Sequence, residues 1–74
     1  MKYDYSKLIG RIIENYGTRA AFASAMGISE HSLSHKLNNK LPWKQPEMEN
    51  AARLLGFSTS DIQVYFFTIK TQDA

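Results

Sequence analysis

The residues that could perform chemistry are concentrated in the middle of this 74-residue chain. His31 and His35 are four positions apart, a spacing at which two imidazoles on one helix can bind zinc. Ser32 and Ser34 lie beside them, as a nucleophile does beside the histidine that activates it. No third metal ligand is evident nearby, and no carboxylate is placed to orient a histidine base. The sequence therefore predicts no metal site and no cofactor, and we expect a protein that is not an enzyme.

The same stretch is rich in basic residues and contains no acidic ones. From His31 to Gln45 the sequence has no aspartate or glutamate. His35, Lys36, Lys40 and Lys44 cluster around the third helix and its loop. A cationic stripe along an exposed helix is typical of phosphate binding. A solvated helix followed by a lysine-containing loop would explain the charge equally well.

Two predicted helices precede this basic stretch, and a third begins just before it. Apolar residues at alternating spacings of three and four, from Tyr5 to Tyr16, predict a first helix that Asp4 caps. Thr18 and Ser29 are typical N-caps for a second and a third helix. The residues of these two helices that we expect to face the core are Phe22, Ala23, Met26, Leu33 and Leu37.

Two further helices complete the predicted fold. The loop "NNKLPWKQP" ends where Pro46 suits the first turn of a fourth helix, and Ser58 begins a fifth. Trp43 in that loop either covers the core or anchors a partner. The closing "YFFTIK" fits a helix end or a short strand, and residues 70–74 are expected to be frayed. The sequence thus predicts one all-α domain, residues 1–74, of five short helices.

The connection between the second and third helices is the most specific feature. Ala23 is small where two helices approach closely, and Gly27 suits a turn that requires a positive φ. Ile28 fills the corner and Leu33 anchors the next helix. These constraints favour a helix-turn-helix over residues 18–39, whose second helix can lie in a major groove. A plain corner in a small helical bundle is the alternative, and we favour the DNA-binding joint.

The segment "FASAMGISEHSLSHKLNNK" resembles the helix-turn-helix of the phage λ-repressor and Cro class, also called the Xre class. The resemblance covers nearly the whole chain. With "YSKLIGRIIENYGTRAAFA" and "DIQVYFF", the chain is still more similar to small Cro-like proteins of temperate phages of Gram-positive bacteria, a group that includes modulators of repression. The resemblance implies a λ-repressor-like fold with the motif on helices two and three, and a role in the switch between lysogeny and lysis.

The resemblance also implies which residues would contact DNA. Arg19 matches a position that holds a phosphate or supports the next helix. Asn38 and Lys40 match the end of the recognition helix that contacts the DNA backbone, and Lys36 belongs to the cationic stripe. The side chains that would face base edges are Glu30, His31, Ser32, Ser34 and His35.

Glu30 departs from this pattern. An acid that faces the groove is repelled by phosphates unless it accepts a hydrogen bond from a cytosine amino group. It could equally be a helix-start acid that the helix dipole favours, and we prefer that role slightly. A protein with an acidic helix tip could instead use this surface on another protein.

Composition limits the remaining possibilities. The absence of cysteine excludes a disulfide framework and a thiolate metal site. No run approaches the roughly 18 apolar residues of a membrane span, and no signal peptide is recognisable, so we expect a protein of the bacterial cytoplasm. The net charge of +2 permits a nucleic-acid partner but does not argue for one.

Two hypotheses follow. The first is a Cro-like transcriptional regulator that binds operator DNA, expected to act as a homodimer; the joint and the basic stretch favour it. The second is an antirepressor, or modulator of repression, that binds the phage's CI-type repressor. Glu30, the low net charge and the closer resemblance favour the second. We take the first as the main hypothesis, with "VYFFTIK" as the candidate dimer surface.

Overall fold

A computed structural model describes residues 2–70 of the chain. The prediction of an all-α fold with five helices is confirmed. Those helices are α1 (Ser6–Tyr16), α2 (Arg19–Met26), α3 (Glu30–Leu37), α4 (Gln45–Leu55) and α5 (Ile62–Phe66), with a 3₁₀ turn (Thr59–Asp61) before α5. The predicted frayed tail lies outside the described residues from position 71 onward. In the described part, no helix is long and apolar enough to cross a membrane.

Short-range hydrogen bonds determine where the helices begin. The Thr18 hydroxyl oxygen accepts a hydrogen bond from the backbone N–H of Ala21, and Ser29 does the same for Ser32, as the sequence predicts. The start of α1 differs from the prediction, because Tyr5 rather than Asp4 occupies the N-cap position. Asp4 still contributes, since its carboxylate accepts hydrogen bonds from the Ser6 N–H and hydroxyl.

The joint between α2 and α3 is a tight left-handed turn. Gly27 has φ 78° and ψ 25°, and its N–H donates to the carbonyls of Ala23 and Ser24. The N–H of Ile28 also donates to the Ala23 carbonyl, at 3.0 Å. These bonds satisfy the last carbonyls of α2 and turn the chain directly into the Ser29 cap of α3.

One core joins all five helices. Phe22 and Phe66 are its largest fully buried side chains. The predicted burial of Leu33 and Leu37 is confirmed, since the two are 0% and 6% exposed. The remaining buried apolar residues are Tyr5, Leu8, Ile12, Ala23, Ala51, Ala52 and Leu55.

The two ends of the described chain are paired with each other. Tyr3 and Ile69 form an isolated antiparallel bridge, flanked by hydrogen bonds from Asp4 N–H to Thr68 O at 2.7 Å and from Lys70 N–H to Lys2 O at 3.2 Å. The closing "YFFTIK" is thus the end of a helix followed by a strand-like pairing. Within residues 2–70 this bridge is the whole of the β structure.

Two glycine substitutions test the joint. Gly27→Ala should lower the free energy of unfolding by about 1 kcal/mol, because alanine resists the left-handed conformation. Gly10→Ala is the matched control: Gly10 lies inside α1 with nothing within 4 Å of an added Cβ. That change should raise stability by about 0.5–1 kcal/mol. Urea unfolding followed by circular dichroism measures both, and equal stability of the Gly27→Ala and wild-type chains would contradict the role given to the turn.

Candidate functional site

The predicted base-contacting side chains lie on the outer side of α3. Glu30 and His31 are exposed, whereas Ser32, Ser34 and His35 are half-buried. The two imidazole rings stand edge to face, with centroids 4.2 Å apart. In residues 2–70, no cluster of three or more His, Asp or Glu side chains could hold a metal ion.

The partial burial of Ser34 and His35 differs from what the predicted base contacts imply, since a side chain that contacts a base edge must be exposed. After α3 the chain turns back on itself, because the backbone N–H groups of Lys40 and Leu41 both donate to the His35 carbonyl, at 2.8 and 3.2 Å. This turn brings the following loop over the last turn of the helix. The accessible part of the α3 surface is therefore concentrated toward its first turn.

The other predicted DNA-contacting residues flank this surface. Arg19 is the first residue of α2 and is half-buried. Asn38 and Lys40 follow the end of α3, and both are exposed. The Asn38 side-chain amide donates a weak hydrogen bond to the Ser34 hydroxyl oxygen, at 3.4 Å.

Lys36 does not belong to the outer surface, and its assignment to a phosphate-binding stripe is corrected. Its side chain is 8% exposed, and its Nζ lies 2.9 Å from Glu47 Oε1. The same ammonium donates to the Pro42 carbonyl at 3.1 Å and lies 5.8 Å from the centre of the Trp43 ring. Because these contacts direct the charge inward, Lys36 is not available to a phosphate.

A sequence signal for this burial was available. Lys36 lies three residues after Leu33 and directly before Leu37, and positions three apart share one face of a helix. Its ammonium needed a carboxylate partner in order to be buried. Glu47 could have been proposed for that role only with knowledge of how the loop closes.

Glu47 links α3 to the first turn of α4. Its Oε1 accepts a hydrogen bond from the Lys44 N–H at 2.9 Å as well as the bond from Lys36. Burial by itself would raise the pKa of the Glu47 carboxyl, but the hydrogen bonds from Lys44 and Lys36 and their positive charges outweigh it. The pKa of Glu47 therefore lies below its ordinary value.

Trp43 covers the core instead of standing free in solvent. It is half-buried, and its ring stands edge to face with Phe66 at 4.9 Å and with Tyr5 at 6.4 Å between centroids. Of the two roles that the sequence left open for Trp43, covering the core or anchoring a partner, the structure shows that it covers the core. Among the described residues, the indole Nε1–H is buried without a hydrogen-bond acceptor.

The arrangement leaves α3 with an outer side that has little positive charge. With Lys36 turned inward, the charged members of the predicted set at the surface are Arg19, Glu30 and Lys40. Only Glu30 belongs to α3 itself, and it stands at the first position of the helix. The surface can offer hydroxyl, imidazole and carboxylate groups to a partner, and the geometry supplies no nucleophile held by an oriented base.

These features define a small five-helix protein with a tight joint between α2 and α3. Residues 1–69 match the model of a family described as a protein of unknown function, DUF739, and the chain belongs to this family. A comparison with curated proteins found no match.

Among solved structures, the chain is similar to the solution structure of the modulator of repression (MOR) of the temperate bacteriophage TP901-1 from Lactococcus lactis. The two are 49% identical, the match covers 90% of each chain, and the TM-score is 0.80. The resemblance to phage modulators of repression is thus confirmed. Membership of the λ-repressor and Cro class stays a prediction.

The Lys36–Glu47 pair makes stability depend on pH in a defined direction. Glu47→Gln should lower the free energy of unfolding at neutral pH by about 1–3 kcal/mol, because it leaves a buried ammonium without its carboxylate. The folded-state pKa lies below the ordinary value of 4.5, so this contribution is present above that pH and is lost as the pH falls through the folded pKa. Urea unfolding at neutral pH and at about pH 3 measures it.

Glu49→Gln is the control for this experiment. Glu49 is exposed in the same helix, and among the described residues its side chain accepts one hydrogen bond, from Gln45 at 3.5 Å. The wild-type and Glu47→Gln chains should approach each other in stability in acid, while Glu49→Gln stays close to wild type throughout. Equal losses for the two variants would mean that the ion pair adds nothing beyond surface charge.

Proposed function

We propose that this chain is a modulator of repression that acts by binding a CI-type phage repressor, and does not hold operator DNA by itself. The observation that carries the proposal is the inward direction of Lys36, which leaves the outer side of α3 with Glu30 and no lysine. Binding to duplex DNA depends on several cations close to phosphates. An acidic helix tip lacks them, and the similarity to MOR supports the same conclusion.

The α3 surface has the properties of a rigid contact for a protein. Ser29 caps the helix, and Leu33 and Leu37 fix it to the core, so the backbone that carries the outer side chains has little freedom to lose on binding. A DNA-binding repressor presents basic side chains to phosphates. Glu30 can pair with such a cation, and the partner's DNA-binding surface would then be covered. The chain would act by binding alone, without enzymatic activity or a cofactor.

The test is a direct comparison of two partners. The chain is mixed with a CI-type repressor of a temperate phage, and separately with fragments of that repressor's operator. We expect a complex with the repressor in size-exclusion chromatography with light scattering, and we expect the repressor's mobility shift of operator DNA to change when the chain is added. The proposal fails if the chain alone prefers one operator, loses that binding steeply with salt and forms no complex with the repressor.

Glu30→Gln tests the residue at the helix tip. Removing a charge that pairs across an interface should weaken the repressor complex by about tenfold, with the larger effect at low salt. Glu14→Gln is the matched control, because Glu14 is exposed on α1 and loses the same charge. Isothermal titration calorimetry at two salt concentrations measures both. If the two variants bind alike, Glu30 is only a helix-start acid.

The operator-binding alternative predicts the opposite behaviour of the same variant. If α3 reads DNA directly, Glu30→Gln should relieve repulsion from phosphates, strengthen non-specific binding and increase its salt dependence. A cytosine contact, if present, would be lost at a cost of about 1–3 kcal/mol at one base position. Mobility shifts with operator and random-sequence duplexes separate these outcomes, and unchanged shifts would count against operator binding.

A further inference from the structure

Three segments that are distant in sequence meet on a second surface. Residues 2–4, the loop 39–43 and the stretch 66–70 line two adjoining clefts. Asn39 fixes the first two segments together: Tyr3 N–H donates to its side-chain oxygen at 2.9 Å, and its amide donates back to the Tyr3 carbonyl at 3.0 Å. Asn39 does this from a left-handed backbone conformation, φ 63°, which asparagine tolerates better than most residues. The bridge between Tyr3 and Ile69 adds the third segment.

The first cleft, which we name the aromatic cleft, is open and apolar. Its volume is about 350 Å³, and its apolar lining includes Tyr3, Leu41, Trp43, Met48, Phe66 and Phe67. Leu41 and Phe67 are 42% and 43% exposed, and they are the two of the five most exposed large apolar side chains in the described part that line this cleft. The rings of Tyr3 and Phe67 stand edge to face with centroids 5.6 Å apart, so the lining is ordered by its own contacts. This cleft can accept an apolar side chain.

The second cleft, which we name the lysine cleft, continues from the first. Its volume is about 510 Å³, and it shares Tyr3, Tyr5, Asn39 and Lys40 with the aromatic cleft. Lys2, Lys40 and Lys70 all line it, and Asp4 is its one carboxylate. Asp4 keeps its negative charge, because its hydrogen bonds with Ser6 lower the pKa of its carboxyl group, so three lysines stand against one carboxylate. Positive charge thus adjoins an apolar cleft directly.

We propose that the two clefts form a docking site for an acidic peptide segment of a partner protein. An apolar side chain of that segment would enter the aromatic cleft, and its neighbouring carboxylates would pair with Lys2, Lys40 and Lys70. The site lies apart from the outer side of α3 except at its C-terminal end, where Asn38 and Lys40 line the lysine cleft. The proposal therefore goes beyond repressor binding through Glu30 and does not depend on it.

Charge and polarity distinguish this occupant from the two obvious others. A symmetric contact with a second copy would set the same patch against itself, and three lysines would face three lysines. A nucleic-acid backbone would use the lysines but gain nothing from burying Leu41 and Phe67. A peptide that carries both apolar and acidic side chains uses both halves of the site.

The test is a selection of peptides on the intact chain. A random peptide library is selected against the wild-type protein and counter-selected against the Leu41→Ser/Phe67→Ser double variant. We expect the recovered peptides to combine aromatic or branched apolar residues with aspartate or glutamate. Their affinity is then measured by the fluorescence of Trp43, the only tryptophan in the chain, which lines the aromatic cleft.

Single variants separate the two halves of the site. Leu41→Ser or Phe67→Ser should weaken peptide binding by about tenfold, and Lys70→Gln should weaken it and reduce its salt dependence. Val64→Ser and Lys7→Gln are the controls, because Val64 is also 42% exposed, Lys7 is exposed on α1, and neither lines a cleft. Circular dichroism checks that every variant remains folded. Glu30→Gln should leave peptide binding unchanged, which tests the two surfaces separately.

Four results would overturn the proposal. They are the absence of any enriched peptide, enrichment of peptides without acidic residues, equal binding by the Phe67→Ser and Val64→Ser chains, and a wild-type dimer that the double variant abolishes. Displacement of the peptide by random-sequence duplex DNA, with the same change in Trp43 fluorescence, would assign the site to phosphates instead.

Discussion

The ion pair between Lys36 and Glu47 joins α3 to the first turn of α4 and keeps one lysine of the predicted cationic stripe away from the surface. The Lys36 ammonium also donates to the Pro42 carbonyl, and the Glu47 carboxylate also accepts from the Lys44 N–H. These two hydrogen bonds fix the proline-containing loop at two points. Burying two charges is costly, and the Coulomb attraction repays that cost only when further hydrogen bonds satisfy the pair. The pair is therefore better understood as a device that specifies one loop conformation than as a source of net stability. With the loop held in that conformation, Trp43 lies on Phe66 and closes the core.

A chain of this length buries a smaller fraction of its surface than a larger domain does, so it can leave few segments unused. The ends of the described chain illustrate this: Lys2 to Asp4 pair with Thr68 to Lys70, and Asn39 joins Tyr3 through two hydrogen bonds. In a larger domain these segments would be dispensable extensions of the core. Here they make up the walls of the aromatic and lysine clefts. The same contacts that complete a small fold thus create the proposed docking site.

The sequence predicted the features that depend on residues close together in the chain. The caps at Thr18 and Ser29, the turn at Gly27 and the burial of Leu33 each depend on contacts within a few positions, and each was predicted correctly. The direction of Lys36 was missed because it depends on Glu47, eleven positions away, and on a loop that no local pattern defines. The clefts could not be predicted at all. They depend on the pairing of Asn39 with Tyr3 across 36 positions, and a single sequence carries no signal for it.

The distribution of charge along α3 connects the fold to its proposed partners. Glu30 opens the helix, where the positive end of the helix dipole stabilises its carboxylate, and Lys40 lies three residues after the helix ends. Folding therefore accounts for the position of Glu30. It does not account for the lack of ion-pair partners at Glu30 and Lys40, since the one salt bridge among residues 2–70 is the Lys36–Glu47 pair. An acidic helix start and a basic cleft at the helix end are complementary to different partners. The two proposed partners would therefore not compete for the same charges.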